Sequence, residues 1–333
     1  MIFLFAVLFI ISLVLTYGVR HYALIKNVMD IPNHRSSHQV PTPRGGGVAF
    51  IAGFLGVLPF LFFAHKISIS IGSACISAGL LVALIGFLDD HEPIPAKWRI
   101  LSHFVASILM LYFLHGMPIL NFFSWTFPIT FANILGAVFL VWLINLYNFM
   151  DGIDGLAGIQ AITVCLGGAL LFWLTGHHAF VTLPLFLSAS VAGFLFWNFP
   201  PARIFMGDAG SGFLGVILGV FVLQAGHVEQ QLFWSWIILL GVFIVDATVT
   251  LLRRAISGEK VYEAHRSHAY QHASRVFKSH FQVTMAVFLI NVLWLLPIAL
   301  LVGLGYLREG IGLVIAYLPL IMLSIQFRAG KPD

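Results

Sequence analysis

This sequence predicts an all-α fold, a polytopic helical membrane protein of about eleven spans, and three observations predict it. Of its 333 residues 60% are hydrophobic and only 9% charged, with a mean hydropathy of +0.98, whereas soluble domains carry about 25% charged residues. The apolar runs are continuous over about the 20 positions that a spanning helix needs. They do not alternate, which argues against a β-barrel. Almost all Lys and Arg fall on alternate connections, as the positive-inside rule requires of a chain with one orientation.

The predicted spans are 1–19, 47–64, 67–88, 100–115, 131–147, 159–175, 178–197, 211–226, 233–251, 283–303 and 309–327, in a single domain over 1–333. The first is apolar from Met1, without a basic leading region or a small-residue cleavage site, so it is expected to remain as a span. Arg20, Lys26, Arg35, Arg44, Lys97, Arg99, Arg203, Arg253, Arg254, Lys260, Arg266, Arg275, Lys278, Arg328 and Lys331 sit on one side, and Lys66 and Arg308 on the other. This places the first set in the cytoplasm, the N-terminus outside and the C-terminus inside. The net charge of +4 is then a matter of membrane orientation and not of nucleic-acid binding. Cys75 and Cys165 lie inside apolar runs and suggest neither a disulfide nor a metal cluster.

The acidic residues follow the same side. Only Glu229 and Glu309 fall outside, and Asp246 lies within a span. Carboxylates contribute little to topology, so their gathering at one face asks for a polar site there.

Before the second span runs Asp30-Ile-Pro32-Asn33-His34-Arg35-Ser36-Ser37-His38-Gln-Val-Pro41-Thr42-Pro43-Arg44-Gly45-Gly46-Gly47. Its prolines fix an irregular path, its glycines allow close approach, and Arg35 and Arg44 suit phosphate. Asp89-Asp90-His91-Glu92 ends the third span. Its adjacent carboxylates repel unless a cation lies between them, and Lys97 and Arg99 follow closely. A solvated helix end is the bland alternative.

The central stretch is Asn145-Leu-Tyr-Asn148-Phe-Met-Asp151-Gly152-Ile-Asp154-Gly155-Leu-Ala-Gly158. Asn145, Asn148 and Asp151, three apart, share one helix face, and carboxylates at the end of a span are costly unless a cation or water compensates them. Phe205-Met206-Gly207-Asp208-Ala-Gly210-Ser211-Gly212 opens the eighth span, and glycines before a helix N-terminus make an anion-friendly nest. Asp208 is either the N-cap or a metal ligand, and Ser211 could cap in its place. In the longest connection, Ala264-His265-Arg266-Ser267-His268-Ala-Tyr270-Gln271-His272 places His268 and His272 at i, i+4. With no third soft ligand, a phosphate clamp using Arg266 fits better than zinc. A plain basic loop is the simpler reading. Asp246 is read as structural, with Arg253 or Arg254 as its expected partner.

Together these motifs put hard oxygen ligands, cations and glycine nests on one membrane face. Carboxylate and amide oxygens suit Mg²⁺ or Mn²⁺, and a divalent metal with arginines is the apparatus of phosphoryl transfer.

With Asp89-Asp90, the Asn145–Gly155 stretch, Phe205-Met206-Gly207-Asp208-Ala-Gly-Ser and the His268 loop in this order, the chain resembles the polyprenyl-phosphate N-acetylhexosamine-1-phosphate transferases, glycosyltransferase family 4. It looks closest to the bacterial branch that starts O-antigen or capsule chains. The resemblance implies transfer of a sugar 1-phosphate from a UDP-N-acetyl sugar to undecaprenyl phosphate, releasing UMP, at the cytoplasmic face of the inner membrane. It implies Mg²⁺ held by Asp208 with Asn148, Asp89 and Asp90 near the lipid phosphate, and Arg266 and His268 near the pyrophosphate. Asp151 and Asp154 join the catalytic set; Arg44, Lys97, Arg99, Asn145 and His265 join the substrate-binding one; a homodimer is a further expectation. The loop lacks the triple histidine of the phospho-N-acetylmuramoyl-pentapeptide transferases, the alternative branch. A secondary transporter or a flippase is the reading from other classes, but transporter sites lie near the midplane.

Overall fold

The computed structural model describes residues 2–32, 37–38, 40–122, 125–126, 128–259 and 265–331. The phosphate expectation for Arg35 lies outside them. Among the described residues the helices are α1 (Ile2–Lys26), α2 (Gly47–Phe63), α3 (Ile69–His91), α4 (Ala96–Phe113), α5 (Ile129–Met150), α6 (Leu156–Leu174) and α7 (Thr182–Asn198). They continue with α8 (Gly207–Val228), α9 (Gln230–Leu239), α10 (Gly241–Ile256), α11 (Ala269–Phe277), α12 (His280–Ile290), α13 (Leu296–Gly303) and α14 (Glu309–Gln326). Each predicted span falls on one of these helices or on a consecutive pair.

Among the described residues eight segments are long and apolar enough to cross a membrane, or nine with the pair α9–α10. The expected span 233–251 is that pair, bent by 69°. A break inside a bundle frees carbonyls that must find new donors. Tyr317 Oη donates to Ile237 O at 2.6 Å and Gln160 Nε2 to Leu239 O at 3.2 Å. The expected span 283–303 is interrupted by a π-helical turn over Asn291–Leu295, just before Pro297. There Asn291 Nδ2 donates to Gln160 Oε1 and Thr163 Oγ1.

α8 is the axis of the molecule, 94% buried over its apolar window, while α1 at the rim is 17% buried. A short antiparallel pair, β1 (Met29–Asp30) and β2 (Thr42–Pro43), folds the segment before α2 back on itself. Backbone bonds Phe205 N to Pro43 O, Gly46 N to Phe205 O and Gly47 N to Met206 O stitch that segment to the approach to α8. Arg44 is thereby fixed beside Asp90.

Candidate active site

Small residues bring the site together. A Cβ on Gly86 of α3 would lie 2.5 Å from Asp208 C and Ala209 N, and one on Gly215 of α8 would lie 2.6 Å from Ile144 Cα of α5. Gly47 and Gly210 abut where α2 meets α8. Such contacts let helix backbones approach closely within a membrane. They carry the ends of α3 and α5 and the residue before Gly45 to the first turn of α8.

The first turn of α8 is capped from outside. Asp90 Oδ1 accepts from Asp208 N at 3.0 Å and Asp90 Oδ2 from Ala209 N at 3.4 Å. This corrects both sequence expectations for the cap, since neither Asp208 nor Ser211 fills it. Ser211 Oγ instead donates to Gly207 O and accepts from Asn148 Nδ2. The carboxylate of Asp208 is left for the site.

Arg99 lies at the centre of the oxygen cluster. Its guanidinium is 2.8 Å from Asp89 Oδ2, 3.4 Å from Asp208 Oδ2 and 3.3 Å from Asn148 Oδ1. Asn148 Nδ2 donates to Asp208 Oδ1 at 2.9 Å. Ile94 N donates to Asp89 Oδ1. Arg44 donates to the carbonyls of Asp89 and Asp90, with its Nε 3.9 Å from Asp90 Oδ1.

Beside this cluster opens a cavity of about 380 Å³, whose walls include Arg44, Asp90, Asp151, Asp154, Asp208 and His280. Asp151, just past α5, has its pKa pushed well above the ordinary value by burial and then by the carboxylates of Asp208, Asp90 and Asp154. Asp154 Oδ2 accepts from Ala202 N, and its Oδ1 is 3.1 Å from His280 Nδ1. A second cavity, about 880 Å³, continues from the first past Asp154 and His280 to Arg275 and Lys278.

The histidine loop reaches this cavity by a different residue from those the sequence suggested. Gln271 lies on its wall; His265, Arg266 and His268 are not among its lining residues. His268 is buried and caps α11 in a reciprocal box with Gln271, its Nδ1 3.3 Å from Asp246 Oδ1. Asp246 also accepts from Ala269 N at 2.9 Å and Tyr270 N at 3.0 Å, so it holds the loop helix. The expected Arg254 pairs with Glu259 at 2.9 Å. Tyr270 Oη donates to Phe149 O and docks α11 on the end of α5. His265 stacks on His268, and burial first, then nearby positive charge, lowers its pKa to about 3.

Lys97 and Asn145 stand apart from both the oxygen cluster and the cavity wall. Lys97 is exposed and lies over the Trp98 ring. Asn145 Nδ2 bonds Val141 O at 2.7 Å and His103 Nδ1 at 3.1 Å, tying α5 to α4. Sequence reasoning missed His280, Asn198 and Gln271. The signal for His280 was thin: a histidine following Ser279, which caps α12, at the edge of an apolar run.

The donor set suits a hard divalent cation. Asp89, Asp208 and Asn148 present oxygens, and Arg99 already gathers all three around one positive group. Among the described residues no three His, Cys, Asp or Glu side chains close on a common point.

The model of glycosyl transferase family 4 matches residues 73–226, the span that carries Asp89, Asp90, Asn148 and Asp208. A probable undecaprenyl-phosphate N-acetylglucosaminyl 1-phosphate transferase of Bacillus subtilis (strain 168) is 28% identical over 307 residues, covering 86% of this chain and 82% of its own. A phospho-N-acetylmuramoyl-pentapeptide-transferase of Streptococcus pneumoniae serotype 19F is 27% identical over 236 residues, covering 67% and 70%.

Proposed function

We propose, with the match of the glycosyl transferase family 4 model to residues 73–226 as the premise, that the chain transfers an N-acetylhexosamine 1-phosphate from a UDP-sugar to undecaprenyl phosphate. The products are undecaprenyl-diphospho-sugar and UMP, and the reaction starts a cell-surface glycan such as O-antigen at the cytoplasmic face of the inner membrane. The observation that carries this reading is the closure of Asp89, Asn148 and Asp208 around Arg99 at one end of the bundle, beside a cavity. The pentapeptide-transferase reading is the weaker one. Relatives that bear that name cover less of the chain, and the loop has no run of three histidines.

A phosphate monoester has a second pKa near about 6, so the lipid phosphate is largely a dianion at neutral pH and a good nucleophile. The barrier lies in bringing anions together. An oxygen of the lipid phosphate attacks the β-phosphorus of the UDP-sugar, the bond from that phosphorus to the bridging oxygen breaks, and UMP leaves with the electron pair. Arg99 and Arg44 neutralise the approaching phosphates, and Asp89 with Asp90 holds both arginines in place. Mg²⁺ or Mn²⁺, held by Asp208 and Asn148, supplies charge neutralisation of the pyrophosphate when bound. Asp151 and Asp154 line the approach of the donor.

Transfer of radiolabel from UDP-[¹⁴C]GlcNAc, or another UDP-N-acetyl sugar, to butanol-extractable lipid tests the reading. The label should require undecaprenyl phosphate and be abolished by EDTA. A panel of UDP-N-acetyl sugars that gave no labelled lipid would overturn it. Exchange of labelled UMP into the UDP-sugar without acceptor would replace direct attack by a covalent aspartyl intermediate.

A further inference from the structure

His280 stands on the walls of both cavities, and the reaction above gives it no part. Ser37, His38, Asp154, Phe205 and His280 line the first cavity and also the second, so they form the neck between the two. The ring of His280 is held from two sides. Its Nδ1 is 3.1 Å from Asp154 Oδ1, and its Nε2 is 3.2 Å from the carbonyl oxygen of Ser37. A carboxylate and a carbonyl only accept, so each ring nitrogen needs a proton to serve both. The ring that fits this place is the imidazolium. Asp154 N lies 3.5 Å from the same Nδ1. A neutral ring that accepts there, at the limit of hydrogen bonding, lets go of the carboxylate.

α12 grips Asp154 at a second point. Thr284, four residues after His280 and so on the same helix face, donates from Oγ1 to Asp154 O at 2.8 Å. The start of α12 is fixed in turn by Ser279, whose side chain accepts from Gln282 N. Ala202 N donates to Asp154 Oδ2 at 3.0 Å. The carboxylate therefore has a donor on each oxygen, and the one on Oδ1 is the imidazolium.

We infer that His280, as an imidazolium, is a positioning residue: it ties Asp154 to the segment at Ser37 and so sets the neck beside which the UDP-sugar is seated. The inference rests on the transfer reaction proposed above. A ring that loses one proton keeps only one of its two strong ties, so the neck slackens as pH rises. The other ionisable groups that share these cavities are His38 and Asp30 before α2, Asp151 and Asp208 across the first cavity, and Arg275 and Lys278 along the second. Of these His38 is the one whose ordinary titration falls in the same range. Its Nε2 is 3.3 Å from Asp30 O, away from Asp154.

His280→Asn and His280→Phe test the inference in the full-length protein in nanodiscs. The Asn amide nitrogen replaces Nδ1 as donor to Asp154 and does not titrate, whereas Phe removes both ties. In the wild type, KM for the UDP-sugar should rise at least about tenfold from about pH 6 to about pH 9. In His280→Asn it should stay level over that range. In His280→Phe it should be raised at least about tenfold already at about pH 6, with the loss in KM exceeding the loss in kcat. A His280→Phe protein with the KM of the wild type overturns the inference. So does a pH dependence that persists in His280→Asn, because it would then lie with His38. NMR of protein labelled with ¹³C-histidine needs no turnover, so it separates failure of this inference from failure of the transfer reading. The signal missing from His280→Asn belongs to His280. It should report a protonated ring at about pH 7, and in Asp154→Asn that proton should be lost at a lower pH. A neutral His280 ring at about pH 7 in the wild type overturns the inference.

Discussion

Asp90, at the end of α3, accepts a hydrogen bond from the backbone nitrogen of Asp208 at 3.0 Å and so caps the helix that carries the site's own carboxylate. The pair of adjacent aspartates therefore divides its work. Asp90 sets the start of α8, and Asp89 holds Arg99. Asp90→Ala leaves two donors of a buried helix start unsatisfied, at about 1–3 kcal/mol for each such group. Asp90→Asn keeps one acceptor oxygen and should lose less. We expect Tm in detergent to fall in the order wild type, Asn, Ala, with turnover falling alongside. An unchanged Tm for Asp90→Ala would remove the capping role.

Asp208→Asn tests the oxygen cluster itself. It keeps the shape and the hydrogen bond to Asn148 while removing the charge shared with Arg99. Loss of a main electrostatic stabiliser costs about 10²–10³ in kcat, so turnover at saturating substrates should drop at least about a hundredfold. The rate as a function of added Mg²⁺ is the check, and near-normal turnover would take Asp208 out of the site.

How much of this was legible in the sequence follows from what side chains declare. Apolar length placed the spans, and the order of polar motifs placed Asp89, Asp90, Asn148 and Asp208 together. Helical spacing could not say that Asn145, on the same face as Asn148, turns to His103 instead of the cavity. The bend at Leu240 was hidden because its rescue comes from Tyr317 and Gln160, far away in the chain. His268 and Asp246 were each visible, but the ring nitrogen and two backbone donors that join them belong to a tertiary contact. His280 fell at the edge of an apolar run and carried no motif of its own.

Asp151 makes stability depend on pH in a direction that can be worked out. Its folded-state pKa is raised, by burial first and then by Asp208, Asp90 and Asp154. Below the ordinary carboxylate value of about 3.9 the group is protonated in both states. As pH rises from there through the raised value, the unfolded chain gives up its proton first and folded stability falls. Asp151→Asn removes that loss. In EDTA at about pH 8 its Tm should equal or exceed that of the wild type, and added Mg²⁺ should raise the wild type more than the variant. A variant clearly less stable in EDTA would contradict the sign.

Gly86→Ala probes the packing that carries the site. Its new Cβ would lie 2.5 Å from the backbone of Asp208 and Ala209, and backbone cannot step aside as a side chain can. Overpacking of this kind costs about 1–3 kcal/mol, and the shift falls on the residue that closes the oxygen cluster. Tm and kcat should both drop. Gly56→Ala, where a Cβ meets nothing within 4 Å, should change neither.

Asp246 and His268 decide whether the histidine loop acts on substrate or holds a wall in place. α11 spans nine residues, too few to persist alone when isolated helices below about 12 residues are marginal. Its start is held by Asp246 through Ala269 N, Tyr270 N and His268 Nδ1. Asp246→Ala should therefore free α11, speed tryptic cleavage after Arg266 and Arg275, and raise KM for the UDP-sugar as Gln271 leaves the cavity wall. His268→Ala should follow the same course, with proteolysis and KM moving together, because the buried imidazole acts through the helix that it caps. A His268→Ala protein that kept its trypsin resistance and its KM but lost kcat would place the ring on the reacting phosphates instead.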